Sequence, residues 1–572
     1  MRIESSRTGA RIVGVLLLAG SVAACARASA PQPADLVLRG GTVRTMNPAQ
    51  PSAQAVAVAG GRIVYVGDRE GVARLIGAAT RVRDLHGQMV LPGFHDSHVH
   101  IATGGIELGE CNLNGIEPLD ALRAAIRACA TETAGPEGWL RGGGWELPVF
   151  PASGPTRGEL DALVPDRPVY LTSADGHSAW VSSRAVELAG IEAETPDPPN
   201  GRIERDPATG EATGTLRETA MALVEDLIPP YTHEASVEGV RRGLALAASY
   251  GITSLNEADA SPALLAAYAD LDRRGELTAT VLAAQSTDAA RGPEQLAALV
   301  RLRDAHHGDH LSANAIKVFV DGVIEAQTAA LLEPYDGRPD WRGEPRWAPE
   351  DLNRLVAEAD RLGFQVHMHA IGDRAIRMAL DAIARARAEH GPRDVRHILA
   401  HIQLFDPTDI TRMSELGVIG SVQPLWAYAD RYITELTEPV LGPTRSRWLY
   451  PIHSLAEAGV VLAFGSDWSV SSMNPLLGMQ VGVTRQAVTG DRGAPWIPEE
   501  RVELETMLAG YTTAGAFAAF LEEEVGSIEV GKRADLVVLD RNLFDLPPTA
   551  IGSALVRRTI FEGREVYVAA DR

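Results

Sequence analysis

Apolar positions along the chain fall into two textures. Between residues 34 and 84, runs at 36–39, 55–58 and 63–67 are short, rich in aliphatic residues and split by Gly-Gly pairs, which reads as strands joined by tight turns. The same texture returns at 526–528, 534–540, 556–560 and 565–568. Two β segments flanking a long centre predict one small sheet domain built from both chain ends, residues 35–88 plus 525–572. The centre differs. Strand-like runs at 89–94, 252–256, 278–284, 315–320, 365–369, 397–403, 418–423 and 461–465 alternate with helical patterns such as 237–250, 262–274, 349–362 and 373–389. Alternation of this kind predicts parallel βα units, and eight of them predict a (β/α)8 barrel over 89–524. Residues 101–230 break the repeat and read as an insertion after the first barrel strand. The run 169–172 could also be counted as a barrel strand, so the eightfold count depends on leaving it in the insertion.

The N-terminus has another pattern. Arg2, Arg7 and Arg11 precede an apolar run over 12–24. A bilayer span needs about 20 apolar residues, and this run fits the shorter core of an export signal. It ends in Val22-Ala23-Ala24-Cys25, which resembles a bacterial lipoprotein box. The resemblance implies a signal peptide over 1–24, lipidation of Cys25, and a tether over 25–34. With Ala26 next, it implies the periplasmic face of an outer membrane; a soluble periplasmic or secreted protein is the alternative. In an oxidising compartment Cys111 and Cys129 could form a disulfide or remain two buried thiols.

The chain has 572 residues, 45% of them hydrophobic, which excludes a disordered chain and a polytopic membrane protein. Its net charge of −22 speaks against a nucleic-acid surface. Of the 53 basic residues only Lys317 and Lys532 are lysines. Codon bias in a GC-rich genome accounts for the arginines. Arg replaces Lys on a surface, but not where a neutral amine must react.

Barrel enzymes place their chemistry at the C-terminal ends of the strands. Here the first run leads into His95-Asp96-Ser97-His98-Val99-His100, where His98 and His100 share a face of an extended chain. Two imidazoles converging in this way suit a metal. Other runs carry Lys317, then His367 and His369, then His397 and His401, then Asp467.

Taken together, Leu91-Pro92-Gly93-Phe94-His95-Asp96-Ser97-His98-Val99-His100, the Lys317 segment through Asp321-Gly322, His369-Ala370-Ile371-Gly372-Asp373, Val422-Gln423-Pro424 and Gly465-Ser466-Asp467-Trp468 resemble the amidohydrolase superfamily. The likeness is to its family 3, the group of N-substituted formamide deformylases and YtcJ-like proteins, and it runs over roughly residues 35–568. It implies a TIM-like (β/α)8 barrel with a composite β-sandwich domain, and one or two divalent ions, zinc first among them. His98 and His100 would hold one ion, and His369 and His401 the second. Lys317, carbamylated by CO2, would bridge them, and Asp467 would bind the first ion and shuttle protons. Within each histidine pair the resemblance selects the second member; His367, His397 and His95 read as supporting residues. A divalent ion makes bound water acidic enough to supply hydroxide near neutral pH. Carbamate formation needs the free amine, which Arg cannot supply.

The expected activity is hydrolysis of a C–N bond in a small amide, formamide or related non-peptide substrate. A single-metal deaminase of a cyclic amidine and a non-catalytic ligand-binding lipoprotein are the alternatives. His177 and Trp145, both in the insertion, are candidate substrate contacts; Trp426 could line the same pocket. Lys532 reads as a turn residue with no catalytic part. A homodimer is compatible with the chain.

Overall fold

The structure is a computed structural model that describes residues 32–132, 138–490 and 492–570. The expected export signal, Cys25 and most of the expected tether lie outside the described residues. No helix among the described residues is long and apolar enough to cross a membrane.

Eight parallel strands form the central sheet: β1 (Phe94–Val99), β2 (Ile252–Ala260), β3 (Thr280–Ser286), β4 (Leu311–Phe319), β5 (Gln365–Ala370), β6 (Ile398–His401), β7 (Ile419–Val422) and β8 (Leu462–Phe464). Each pairs with the next in sequence, β1 with β2 through to β7 with β8. The ring is joined just beyond β8, where Asp467 N donates to His98 O at 2.7 Å and His100 N donates to Trp468 O at 2.9 Å. Strands buried on both sides read as unbroken apolar runs, and β5 and β6 are buried at every position. This is the (β/α)8 barrel the periodicity predicts.

The first predicted run, 89–94, is divided between two sheets. Met89–Pro92 pairs with Leu36–Arg44 on one side and antiparallel with Leu536–Leu539 on the other, so it belongs to the terminal sheet. Gly93 makes the hand-over, because a Cβ there would lie 2.1 Å from Thr253 Oγ1. The barrel therefore starts at Phe94. The terminal sheet has eight strands, five from the N-terminal part and three from the C-terminal part. It is one hydrogen-bonded sheet that curls on itself: Ile63 N donates to Lys532 O and Gly531 N to Ile63 O. The two layers of the expected sandwich are opposite walls of this curl, and they enclose Leu36, Leu38, Val56, Val58, Val538 and Ile560. Alternate residues Val37, Ala55 and Ala57 face a second small core with Val72, as the period of two in a strand requires.

The insertion also begins later than the sequence suggests. Helix α1 (Ile101–Glu107) lies against α2 (His233–Ser249) in the outer layer of the barrel. The approach is close enough that a Cβ on Gly105 would sit 1.9 Å from Gly239 O. Beyond α1 the chain builds a six-stranded sheet from Cys111–Asn112 to Ala212–Glu218. The segment Val169–Ser173 is one of its strands, so the eightfold barrel count stands. Cys111 and Cys129 face each other with Cα atoms 5.4 Å apart, within the range a disulfide needs.

Candidate metal centre

The C-terminal ends of the barrel strands bring the predicted residues together. From β1, His98 is fully buried and His100 is half-open. Asp467, just past β8, lies between them and His401: its Oδ1 is 3.6 Å from His98 Nε2 and 3.1 Å from His100 Nε2, and its Oδ2 is 3.7 Å from His401 Nδ1. Candidate ligand atoms of His98, His401 and Asp467 all lie within 4.8 Å of one another. Lys317 on β4 is 1% exposed, and its Nζ is 3.4 Å from His98 Nε2. His369 on β5 stands 4.7 Å from His401, ring to ring, with Nε2 3.1 Å from Gly322 O. His401 and Asp467 both have left-handed backbones, φ 72° and 53°, where the chain turns sharply off the strand. Such conformations are uncommon outside glycine and cluster at working sites.

Burial and neighbouring charge together set the protonation of the site. At His100 burial acts downward, but the carboxylates of Asp467 and Glu257 outweigh it and raise the pKa. Burial pushes the pKa values of His98, His367 and His369 well below the usual imidazole value, helped by neighbouring Lys317 and His401, and brings His401 to about 4. Neutral imidazoles are the form that binds metal. Burial likewise lowers Lys317 from 10.5 to about 8. For Asp467 burial acts upward, but His100, His401 and Lys317 outweigh it and hold the carboxyl at about 2. The donor set suits a divalent ion on a second count. Asp467 Oδ1 and Glu257 Oε1 are buried acceptors that take no aligned hydrogen bond and flank His100 at 3.1 and 3.9 Å, so two carboxylate oxygens are already turned toward positive charge at this place.

The remaining expectations separate. His367 is 2.8 Å from His98 Nδ1 through its Nε2, so it supports His98 from behind. His397 accepts from Val366 N and faces Asp360, away from the centre. His95 is bonded to Ser254. Trp426 stacks on His401 at 5.7 Å with an 11° tilt and lines the site. His177 reaches it from the insertion, 5.4 Å from His369. Trp145 does not. It is fully buried in the insertion core and donates through Nε1 to Leu171 O at 2.9 Å, so its place as a substrate contact is corrected. The irregularity at Gly144, φ 98°, where the strand register shifts between Gly143 and Trp145, turns the indole into the same core as Leu140. Sequence reading also missed Glu257 on β2, 3.9 Å from His100 Nδ1, although it directly follows the strand-like run 252–256.

A family model described as the amidohydrolase family matches residues 81–567, most of the chain. The chain belongs to the amidohydrolase family. Among relatives of this amidohydrolase, Protein LONG AFTER FAR-RED 3 of Arabidopsis thaliana is 32% identical over 93% of this chain and 92% of its own. The N-substituted formamide deformylase of Arthrobacter pascens is 29% identical over 92% of this chain and 97% of its own. A crystal structure of an uncharacterized metal-dependent hydrolase from Pyrococcus horikoshii superposes with a TM-score of 0.71 at 26% identity, covering 93% of this chain and 99% of that one. The amidohydrolase is thus a metal-dependent hydrolase by family.

Proposed function

We propose that this amidohydrolase hydrolyses the C–N bond of a small non-peptide amide, with an N-substituted formamide the favoured class, at a centre of two divalent ions, zinc foremost. His98, His100 and Asp467 would hold one ion and His369 and His401 the other, with Lys317 bridging as a carbamate. Lys317 is the observation that carries this reading. It is a buried amine 3.4 Å from a candidate ligand, held near pKa 8, in a chain with only one other lysine. The Arthrobacter pascens relative supports the formamide class.

Bound divalent ions supply Lewis-acid activation of water and of the substrate carbonyl. The chain's own groups do the rest. Asp467, kept ionised, accepts the proton of the attacking water and returns it to the leaving nitrogen. His367 fixes the ring of His98 through Nδ1 and so leaves Nε2 for the ion. Trp426, stacked on His401, forms one wall against the substrate. The export signal with lipidation at Cys25 would hang the enzyme by its tether on the periplasmic face of the outer membrane.

Metal analysis of the purified protein, with N-formyl, N-acyl and carbamate compounds offered to the zinc-loaded form, tests the reading. About two equivalents and turnover of a formamide are expected. One equivalent with amidine deamination would favour the deaminase, and no metal a ligand-binding protein.

A further inference from the structure

His177 stands in the turn between two insertion strands, Val169–Ser173 and Ser178–Val181. The turn is pinned from several sides. Asp175 Oδ1 accepts from His177 N at 3.1 Å and from the Ser173 hydroxyl, and His177 O accepts from Glu218 N at 3.1 Å. The imidazole is thereby held over the His369 side of the metal centre, with the rings 5.4 Å apart. Its Nδ1 meets Glu218 Oε2 at 3.0 Å. An ionised carboxylate only accepts, so Nδ1 carries a proton and donates it, and Nε2 is the nitrogen left for another partner.

Glu218 is itself fixed from the barrel. It accepts from Arg346 and, at 2.6 Å, from Thr328 Oγ1, both in the segment that follows β4. Its backbone is left-handed, φ 53°, a strained conformation for glutamate. Gly322 makes the approach feasible: a Cβ there would lie 2.4 Å from Glu218 Oε1 and 2.3 Å from Thr328 Oγ1. The carbonyl of that same glycine is the one 3.1 Å from His369 Nε2. Three distant segments thus converge to aim one imidazole. A buried ionic network adds little stability over apolar side chains of the same volume, so stability does not account for it.

We propose that His177 is a substrate-contacting residue lent to the barrel by the insertion, its Nε2 hydrogen-bonding the scissile amide group, and that Glu218 is its positioning residue. The inference rests on the amide-hydrolase reading above and adds the insertion to the reactive site. The test compares wild type, His177→Gln, His177→Gly and Glu218→Gln with N-benzylformamide as probe. Turnover is measured on zinc-loaded protein, and probe affinity on metal-free protein by calorimetry. Loss of one such hydrogen bond lowers kcat/KM by about 10- to 100-fold. The expected result is that loss in His177→Gln with zinc content and Tm unchanged, together with weaker probe binding. Added imidazole should restore part of the activity of His177→Gly and none to Glu218→Gln, whose own imidazole is present but mis-aimed. If Glu218→Gln fails to fold, His177→Gln still decides. If the wild type hydrolyses no formamide, the amide-hydrolase reading fails, and the metal-free affinities then decide alone. Equal probe affinity in wild type and His177→Gln, or no binding by either, overturns the role of His177, as does unchanged kcat/KM.

Discussion

Carbamylation of Lys317 should show a pH dependence set by its burial. Only the neutral amine attacks CO2. With a pKa of about 8 in place of 10.5, the neutral fraction is about 1% at pH 6, about 9% at pH 7 and about 91% at pH 9. At fixed dissolved CO2, the rate of carbamate formation in metal-free protein therefore rises about 90-fold from pH 6 to pH 9 and levels off above pH 8. An unperturbed lysine would rise about 1,000-fold over the same span and keep climbing beyond it. The sign follows from the environment. Burial disfavours the ammonium form, so the proton leaves at lower pH than in water. The assay is the carbamate carbon signal from labelled CO2 by NMR, with zinc uptake followed in parallel. Lys317→Arg cannot lose its proton and should give no carbamate signal, no bridged second ion and little turnover, with the fold retained. The reasoning is refuted if zinc uptake and activity ignore CO2, if the rate climbs log-linearly through pH 10, or if the Arg variant keeps full metal content and turnover.

Other predictions follow from single contacts. His367→Gln removes the imidazole 2.8 Å behind His98 and should weaken zinc binding by about 10- to 100-fold in a chelator competition, leaving secondary structure intact. Trp145→Phe loses the bond to Leu171 O in the insertion core; it should cost about 1–3 kcal/mol in denaturant unfolding while KM stays unchanged. Cys111 and Cys129, 18 residues apart, should resist alkylation until reduced, and reduction should remove about 3 kcal/mol of stability, read as a lower Tm.

The barrel and most of its polar strand ends were legible because both are local signals. Each strand is a short apolar run, and a histidine or aspartate at its end stands out against it. His98, His100 and Asp467 stand out in that way, whereas the choice of His369 over His367 and of His401 over His397, and the part given to Lys317, come from the family resemblance; the structure brings all six to one place. The failures have a common cause. The apolar run 89–94 reads as one strand, and nothing but Gly93 inside it marks the point where the chain changes sheets. Helix Ile101–Glu107 falls in the stretch 101–230 that breaks the βα repeat and so reads as insertion, yet its glycines let it pack on the barrel's outer helix. Glu218 and Arg346 are 128 residues apart, and no spacing rule joins them. Lys532, unexplained by sequence, now has a physical role. Its ammonium donates to Val525 O at 3.3 Å, Ser527 Oγ at 2.7 Å and the Glu522 carbonyl, tying the turn that enters the terminal sheet.

That terminal sheet imposes an order of events on the newborn chain. Arg62 donates to Gly531 O, 469 residues further on, and Met89–Pro92 has Leu536–Leu539 as its neighbour on one side. The N-terminal strands leave the ribosome first and wait with an open edge until nearly the whole polypeptide has followed. Contacts of such long range form late and leave unpaired edges exposed meanwhile. A truncation that spares every candidate ligand but removes the final strands should therefore yield an aggregating chain with an unsealed sheet.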